Sequence, residues 1–148
     1  MQKHPLTQKE FDSIFSKVPR LTVEVVVFTN NGIVMTKIPK GPAKGQWNVP
    51  GGTVQFGEKL AEAAERVAKA ELGIEVTVGE NIGYIEYPEL LAAGESGWPV
   101  GIVFEAMIVS GKLTESDYGE VVQCFKQVPE NTIPSQARFL SDYLLKIY

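Results

Sequence analysis

The most continuous apolar run in the chain is Leu21 to Thr29, nearly all β-branched or aliphatic, which predicts a strand buried on both faces. Asn30-Asn31-Gly32 supplies a turn, and Ile33 to Lys37 reads as the returning strand of a hairpin. Upstream, Thr7-Gln8-Lys9-Glu10 has the form of a capping box, and Phe11, Ile14, Phe15 and Val18 follow at helical spacing. This predicts a short amphipathic helix over about 8–17, stopped by Pro19. Residues 38–46 carry two prolines, two glycines and lysines, and read as a loop.

From about 59 to 72 alanine and leucine predominate, Glu62–Arg66 and Glu65–Lys69 stand at pairing distance, and Gly73 supplies a stop. Strands are predicted over 74–78, 82–87, 100–109 and 120–126, with 88–99 as a glycine-containing loop. Pro134-Ser135 opens a last helix in which Ala137, Leu140, Leu144 and Ile147 share a face. Helices packed on a mixed sheet make an α/β (α+β) sandwich, and 148 residues without repeats or low-complexity tracts suit a single domain over 1–148.

A formal charge of -4 argues against a nonspecific grip on nucleic-acid backbone, which needs clustered lysine and arginine. The single cysteine, Cys124, excludes an internal disulfide and fits a reducing cytoplasm; its apolar surroundings in sequence suit a buried, inert thiol. The start MQKHPLTQKEF has no apolar run, so neither a signal peptide nor a membrane partner is expected.

The chemistry concentrates between Gly52 and Ile74, where a glycine loop feeds the helix over 59–72. Gly52, Glu58, Arg66, Glu71, Gly73 and Ile74 stand at the spacing of G-x5-E-x7-R-E-U-x-E-E-x-G-U, preceded by Trp47, Pro50 and Gly51. This stretch resembles the Nudix box. The resemblance implies an α/β/α sandwich with a mixed sheet, a hydrolase of small nucleoside-diphosphate compounds, and a cofactor of Mg2+ or Mn2+. It makes Glu71 a catalytic carboxylate and, with the Gly52 carbonyl, a metal ligand; Glu58 and Arg66 read as a charge pair bracing loop against helix. Val67 and Ala70 stand where that pattern has glutamates. Magnesium takes hard oxygen ligands while keeping waters, so one helix carboxylate is adequate where substrate phosphates supply the rest.

Within that superfamily the chain resembles the GDP-mannose mannosyl hydrolases, through Leu6 to Phe15, the first hairpin, Pro42 to Trp47, Val49 to Gly52, Val54-Gln55 and Ala70-Glu71-Leu72-Gly73. Enzymes of that kind attack the sugar's anomeric carbon and release a nucleoside diphosphate, with a general base activating water. Their basic histidine and metal-binding glutamine align with Gly119 and Tyr118, and their diphosphate-steadying arginines with Ile38 and Thr53. Asp117 and Glu120 remain in that loop as candidate base or second ligand. The only histidine, His4, lies in the N-terminal tail and reads as solvated.

For substrate contact, Lys37, Tyr87 and Trp98 are the candidates, with Trp98 favoured by its glycine–proline loop and Tyr84 read as partly core. Lys40 and Lys44 read as solvated. The resemblance also brings in a homodimer. Three functions follow: a Mg2+-dependent hydrolase of a nucleoside-diphosphate sugar, a fold that lost catalysis and binds a nucleotide or nucleotide sugar, or a pyrophosphohydrolase of the commoner Nudix type, against which the two missing glutamates speak.

Overall fold

A computed structural model of the chain describes residues 4–92, 97–113 and 121–147. Its centre is β1 (Arg20–Thr29), in which Thr22 to Val27 are all buried, as the continuous apolar run requires. β1 turns into β2 (Gly32–Lys37), and β3 (Trp47–Asn48) and β4 (Gly51–Thr53) follow. β5 (Ile74–Glu86), β6 (Pro99–Gly111) and β7 (Val122–Phe125) complete a seven-stranded mixed sheet. β6 runs parallel to β1 along one edge, while β4 and β2 share β1's other edge in antiparallel pairing.

Alternation along β1 separates two cores. Val23, Val25 and Val27 pack with Ala63, Ala64, Val67, Ala68 and Leu72 of α2 (Leu60–Leu72). Val26 packs with Leu140, Tyr143 and Leu144 of α4 (Pro134–Ile147). The sheet is thus held between helices, the sandwich expected of the element order. α1 (Gln8–Phe15) contributes no fully buried residue, and its capping box forms: Glu10 N–H donates to Thr7 Oγ1 at 3.2 Å and Thr7 N–H to Glu10 Oε1 at 3.0 Å.

Several local expectations change. The strands predicted over 74–78 and 82–87 are one strand, β5, whose register slips around Asn81 and Gly83 absorb the polar interruption. Residues 88–92, expected in a loop, form the short helix α3 (Pro88–Ala92), with proline in the first turn. β3 and β4 come from a proline- and glycine-punctuated stretch too short to show a period. In α4 the buried side is Gln136, Leu140, Tyr143 and Leu144, whereas Ile147 is exposed, because a polar glutamine takes an inward position. Of the helix bases, Arg66 pairs with Glu58 at 2.7 Å, the brace expected from the box, in place of the i,i+4 partner Glu62, and Lys69 pairs with Glu75 at 3.6 Å in place of Glu65. Cys124 is half-buried, with Thr29 Oγ1 3.8 Å from its sulfur.

For the site, the register between β1 and β4 matters most. Val23 faces Gly52 and Thr22 faces Thr53, so the loop before α2 is anchored as sheet on the most buried strand. At the other end of α2, Gly73 takes the left-handed conformation (φ 70°) that stops the helix.

Candidate active site

The loop between β4 and α2 is fastened to the helix by a fork of hydrogen bonds. Arg66 donates from Nε to Glu58 Oε2 at 2.7 Å and from Nη2 to Glu58 Oε1 at 2.9 Å. The same Nη2 reaches the Thr53 carbonyl at 2.9 Å, and Gln55 N–H donates to Glu58 Oε1 at 3.0 Å. The Arg66 hydrogen bonds, foremost, hold the Glu58 carboxyl below its usual pKa against the opposing effect of burial. Bidentate arginine–carboxylate pairing of this kind fixes geometry as well as charge.

Beside this brace lies a cleft of about 390 Å³, within the range of small-molecule sites. Gly52, Thr53, Arg66 and Glu71 line it from the box, and Arg20 from the start of β1. Arg20 Nη1 donates to Thr53 Oγ1 at 2.8 Å, and its guanidinium lies 5.5 Å from the centroid of the Phe11 ring. The N-terminal segment closes the remaining wall with His4, Leu6, Gln8 and Phe11. His4, expected in a solvated tail, is therefore a cleft residue. Burial first, then the charges of Arg66 and Arg20, lower its pKa below the usual 6.5.

Behind the cleft's glycine wall sits a buried acid. Glu24 faces Gly51 across the β1–β4 pair, and its carboxyl fills the space that a Cβ on Gly51 or Gly101 would need. Tyr87 OH donates to Glu24 Oε1 at 2.9 Å, and Gln136 Nε2 donates to Tyr87 OH at 3.0 Å. Gln136 Oε1 in turn accepts from Val49 N–H at 2.9 Å, just ahead of Pro50 and Gly51. Burial raises the Glu24 carboxyl to about 7, opposed by the Tyr87 and Thr22 hydroxyls.

Gly52 and Glu71, proposed from sequence as metal ligands, do line one cleft. Lys37, Tyr87 and Trp98 are not among its lining residues. Lys37 Nζ sits 5.0 Å from the centroid of Trp47. Tyr87 is buried and its hydroxyl belongs to the Glu24 network, so its ring offers no open stacking face. Trp98 is half-buried, and its carbonyl accepts from Arg20 N–H at 2.9 Å. Asp117 and Glu120, with Tyr118 and Gly119, lie outside the described residues. Val67 is fully enclosed in the core around α2, while Ala70 is exposed.

Sequence reasoning passed over His4, Arg20 and Glu24. A lone carboxylate in an otherwise apolar strand is an informative signal, and it was available for Glu24. For Arg20 and His4 the sequence carries no comparable sign, because their proximity to the box comes from strand register and chain path.

Comparison with known proteins places these features in context. A family model described as NUDIX domain matches residues 18–142. The low-salt glycan biosynthesis protein Agl8 of Haloferax volcanii is 38% identical over 78 residues, covering 53% of this chain and 50% of that protein. The match thus spans half the length of that relative. An ADP-ribose pyrophosphatase of Methanocaldococcus jannaschii is 28% identical over 130 residues, covering 85% of this chain and 73% of the other. Among solved structures, a MutT NUDIX hydrolase from Burkholderia pseudomallei superposes with a TM-score of 0.71 at 22% identity, over 87% of this chain and 97% of that one.

Proposed function

The chain belongs to the Nudix domain family, and on that footing we propose that it is a hydrolase of a nucleoside-diphosphate sugar or related nucleoside-diphosphate compound. The observation that carries this reading is the convergence of Gly52, Glu71, Arg20 and Arg66 on one cleft. The fold brings these four residues together from three separate stretches of chain, β1, β4 and α2. Names of relatives support a nucleoside-diphosphate substrate, since one of them is an ADP-ribose pyrophosphatase. The whole of 1–148 is proposed to act as one domain.

Does the donor set suit magnesium? Glu71 and Gly52 both line the cleft, a carboxylate and a backbone carbonyl being hard oxygen donors, and among the described residues no group of three or more His, Cys, Asp or Glu gathers into an all-protein cage. That chemistry fits an ion which keeps waters and takes substrate oxygens. Glu71 and the Gly52 carbonyl would hold it, and when bound it supplies neutralisation of the diphosphate charge.

The chain's own residues do the rest. Arg20, steadied by Thr53, offers a guanidinium to the diphosphate, where the related mannosyl hydrolases use an arginine at the position of Thr53. Arg66, locked to Glu58, keeps the Gly52 loop at a fixed distance from Glu71 and adds positive charge to the cleft wall. Leu6 and Phe11 limit water on the N-terminal side. Asp117 and Glu120 are the carboxylates proposed to take the proton from attacking water. Lys37 and Trp98 are retained as proposed contacts for the outer part of the substrate.

The test is release of sugar or phosphate from a panel of nucleotide sugars and ADP-ribose, with Mg2+, by protein shown to be folded. Turnover that falls at least a hundredfold in Glu71→Gln is expected. Absence of turnover on every compound by the folded protein overturns the hydrolase reading.

One observation favours the alternative, a binding module without catalysis. Val67 replaces a glutamate and has become part of the core. That reading calls for ligand-induced thermal stabilisation that survives both EDTA and Glu71→Gln.

A further inference from the structure

His4 is the only histidine of the chain, and it lines the cleft alongside Arg20, Arg66 and Glu71. Its ring stands edge-on to Phe11, with centroids 5.4 Å apart and planes at 80°. Nδ1 accepts a hydrogen bond from Leu6 N–H at 3.2 Å. Accepting there occupies the Nδ1 lone pair, so the neutral imidazole carries its proton on Nε2. Nε2 is buried and, among the described residues, has no hydrogen-bond partner. A buried donor left without an acceptor is costly, and such groups in folded proteins call for an explanation. The guanidinium groups of Arg20 and Arg66 line the same cleft and act on the His4 ring through their charge, partly offset by the Glu58 carboxylate, and Glu71 lines the cleft with them. Three donor groups gathered on one cleft suit a ligand rich in anionic oxygens.

We infer that His4 is a substrate-binding residue, its Nε2–H donating to an oxygen of the diphosphate alongside Arg20 and Arg66. The inference rests on the hydrolase or binding reading of this same cleft. In it the ring acts as a donor in its Nε2–H tautomer and not as the general base, because Nδ1 is already engaged by the backbone. The segment from His4 to Phe11 then has two jobs, walling the cleft and presenting one polar atom to the ligand. His4 replaces neither Asp117 nor Glu120; it adds a contact to the leaving group.

A single histidine makes the test direct. Long-range ¹H–¹⁵N spectra of the imidazole, recorded on the full chain at neutral pH, report one ring. They should show the Nε2–H tautomer, and the Nε2 signals should move when magnesium pyrophosphate or GDP is added. Calorimetry with the same two probes then compares variants. His4→Ala and His4→Phe, the latter keeping an aromatic face against Phe11, should weaken binding by roughly tenfold to a hundredfold. His4→Gln, which keeps an N–H donor, should recover most of the loss. An Nδ1–H tautomer, spectra unmoved by bound pyrophosphate, or wild-type affinity in His4→Phe each overturns the inference while leaving the hydrolase reading intact. Failure of folded wild-type protein to bind either probe overturns both.

Discussion

Arg20 and Thr53 meet across the first pair of the box, Nη1 donating to Oγ1 at 2.8 Å, two residues beyond the point where Thr22 and Thr53 lie in register. The contact brings a cation from β1 onto the wall of the cleft that Gly52 and Glu71 also line. Positive charge at this corner of the cleft thus comes from the start of the central strand, held in place by a box residue.

Replacing Arg20 should therefore damage function more than stability. Arg20→Ala is expected to lower kcat/KM on a diphosphate substrate by roughly a hundredfold, the loss of one charge-assisted contact. Arg20→Lys should retain part of it, since an ammonium lacks the planar fork. Urea unfolding should find both variants within about 1 kcal/mol of wild type, because Arg20 is only half-buried. A loss of stability much larger than this, with affinity unchanged, would reassign Arg20 to packing.

The Glu58–Arg66 brace makes the opposite prediction, with stability moving first. Glu58 is held below its usual pKa, chiefly by the Arg66 hydrogen bonds, so its contribution is present above 4.5 and is lost as pH falls through the lower folded-state value. Glu58→Gln keeps the shape and removes the charge. It should cost roughly 1–3 kcal/mol at pH 7 and flatten the acid side of the stability profile below pH 4.5, measured by urea melts from pH 3 to 7.

Glu24 should leave the reverse signature. Its folded-state pKa is raised from 4.5 to about 7 by burial, so the stabilisation is fully present below 4.5 and disappears as pH rises towards 7. Integrated over that interval, this one group takes up to about 3 kcal/mol from the fold. Glu24→Gln, which can still accept from Tyr87, should remove this slope between pH 5 and 7. If the wild type and the variant show parallel profiles, the acid is ionised in the fold and this account of its burial is wrong.

Much of the architecture was legible because it is local. The Thr7–Glu10 cap, the doubly buried β1 and the Gly73 stop each follow from a few neighbouring residues, and each stands in the structure. The Glu58–Arg66 pair was legible too, since its eight-residue spacing recurs in the box. What escaped is non-local. Tyr87 was read as a ligand-stacking residue, yet it sits inside because Glu24, 63 residues earlier, accepts its hydroxyl. His4 was read as solvated because nothing in the pattern of the tail records that it folds back over Arg66. The same limit hid the exchange at Lys69, which turns to Glu75 and not to Glu65.

The two missing glutamates of the box are unequal losses, and restoring them should reveal it. Val67 is fully enclosed among Val25, Ala64 and Ala68, so Val67→Glu would drive a carboxylate into a packed apolar core. Unpaired buried charge of that kind costs roughly 3–5 kcal/mol, enough to lower the melting temperature steeply. Ala70 is exposed on the helix, and Ala70→Glu should change stability by no more than about 0.5 kcal/mol. Thermal melts of the two variants with and without Mg2+ decide the matter. Equal tolerance of glutamate at both positions would mean that the core has not closed over position 67, and that this chain could recover a fuller carboxylate set by substitution alone. The asymmetry expected here instead makes the reduced site a property of the packing: with Val67 part of the core, the metal site proposed for this cleft would rest on Glu71 as its helix carboxylate.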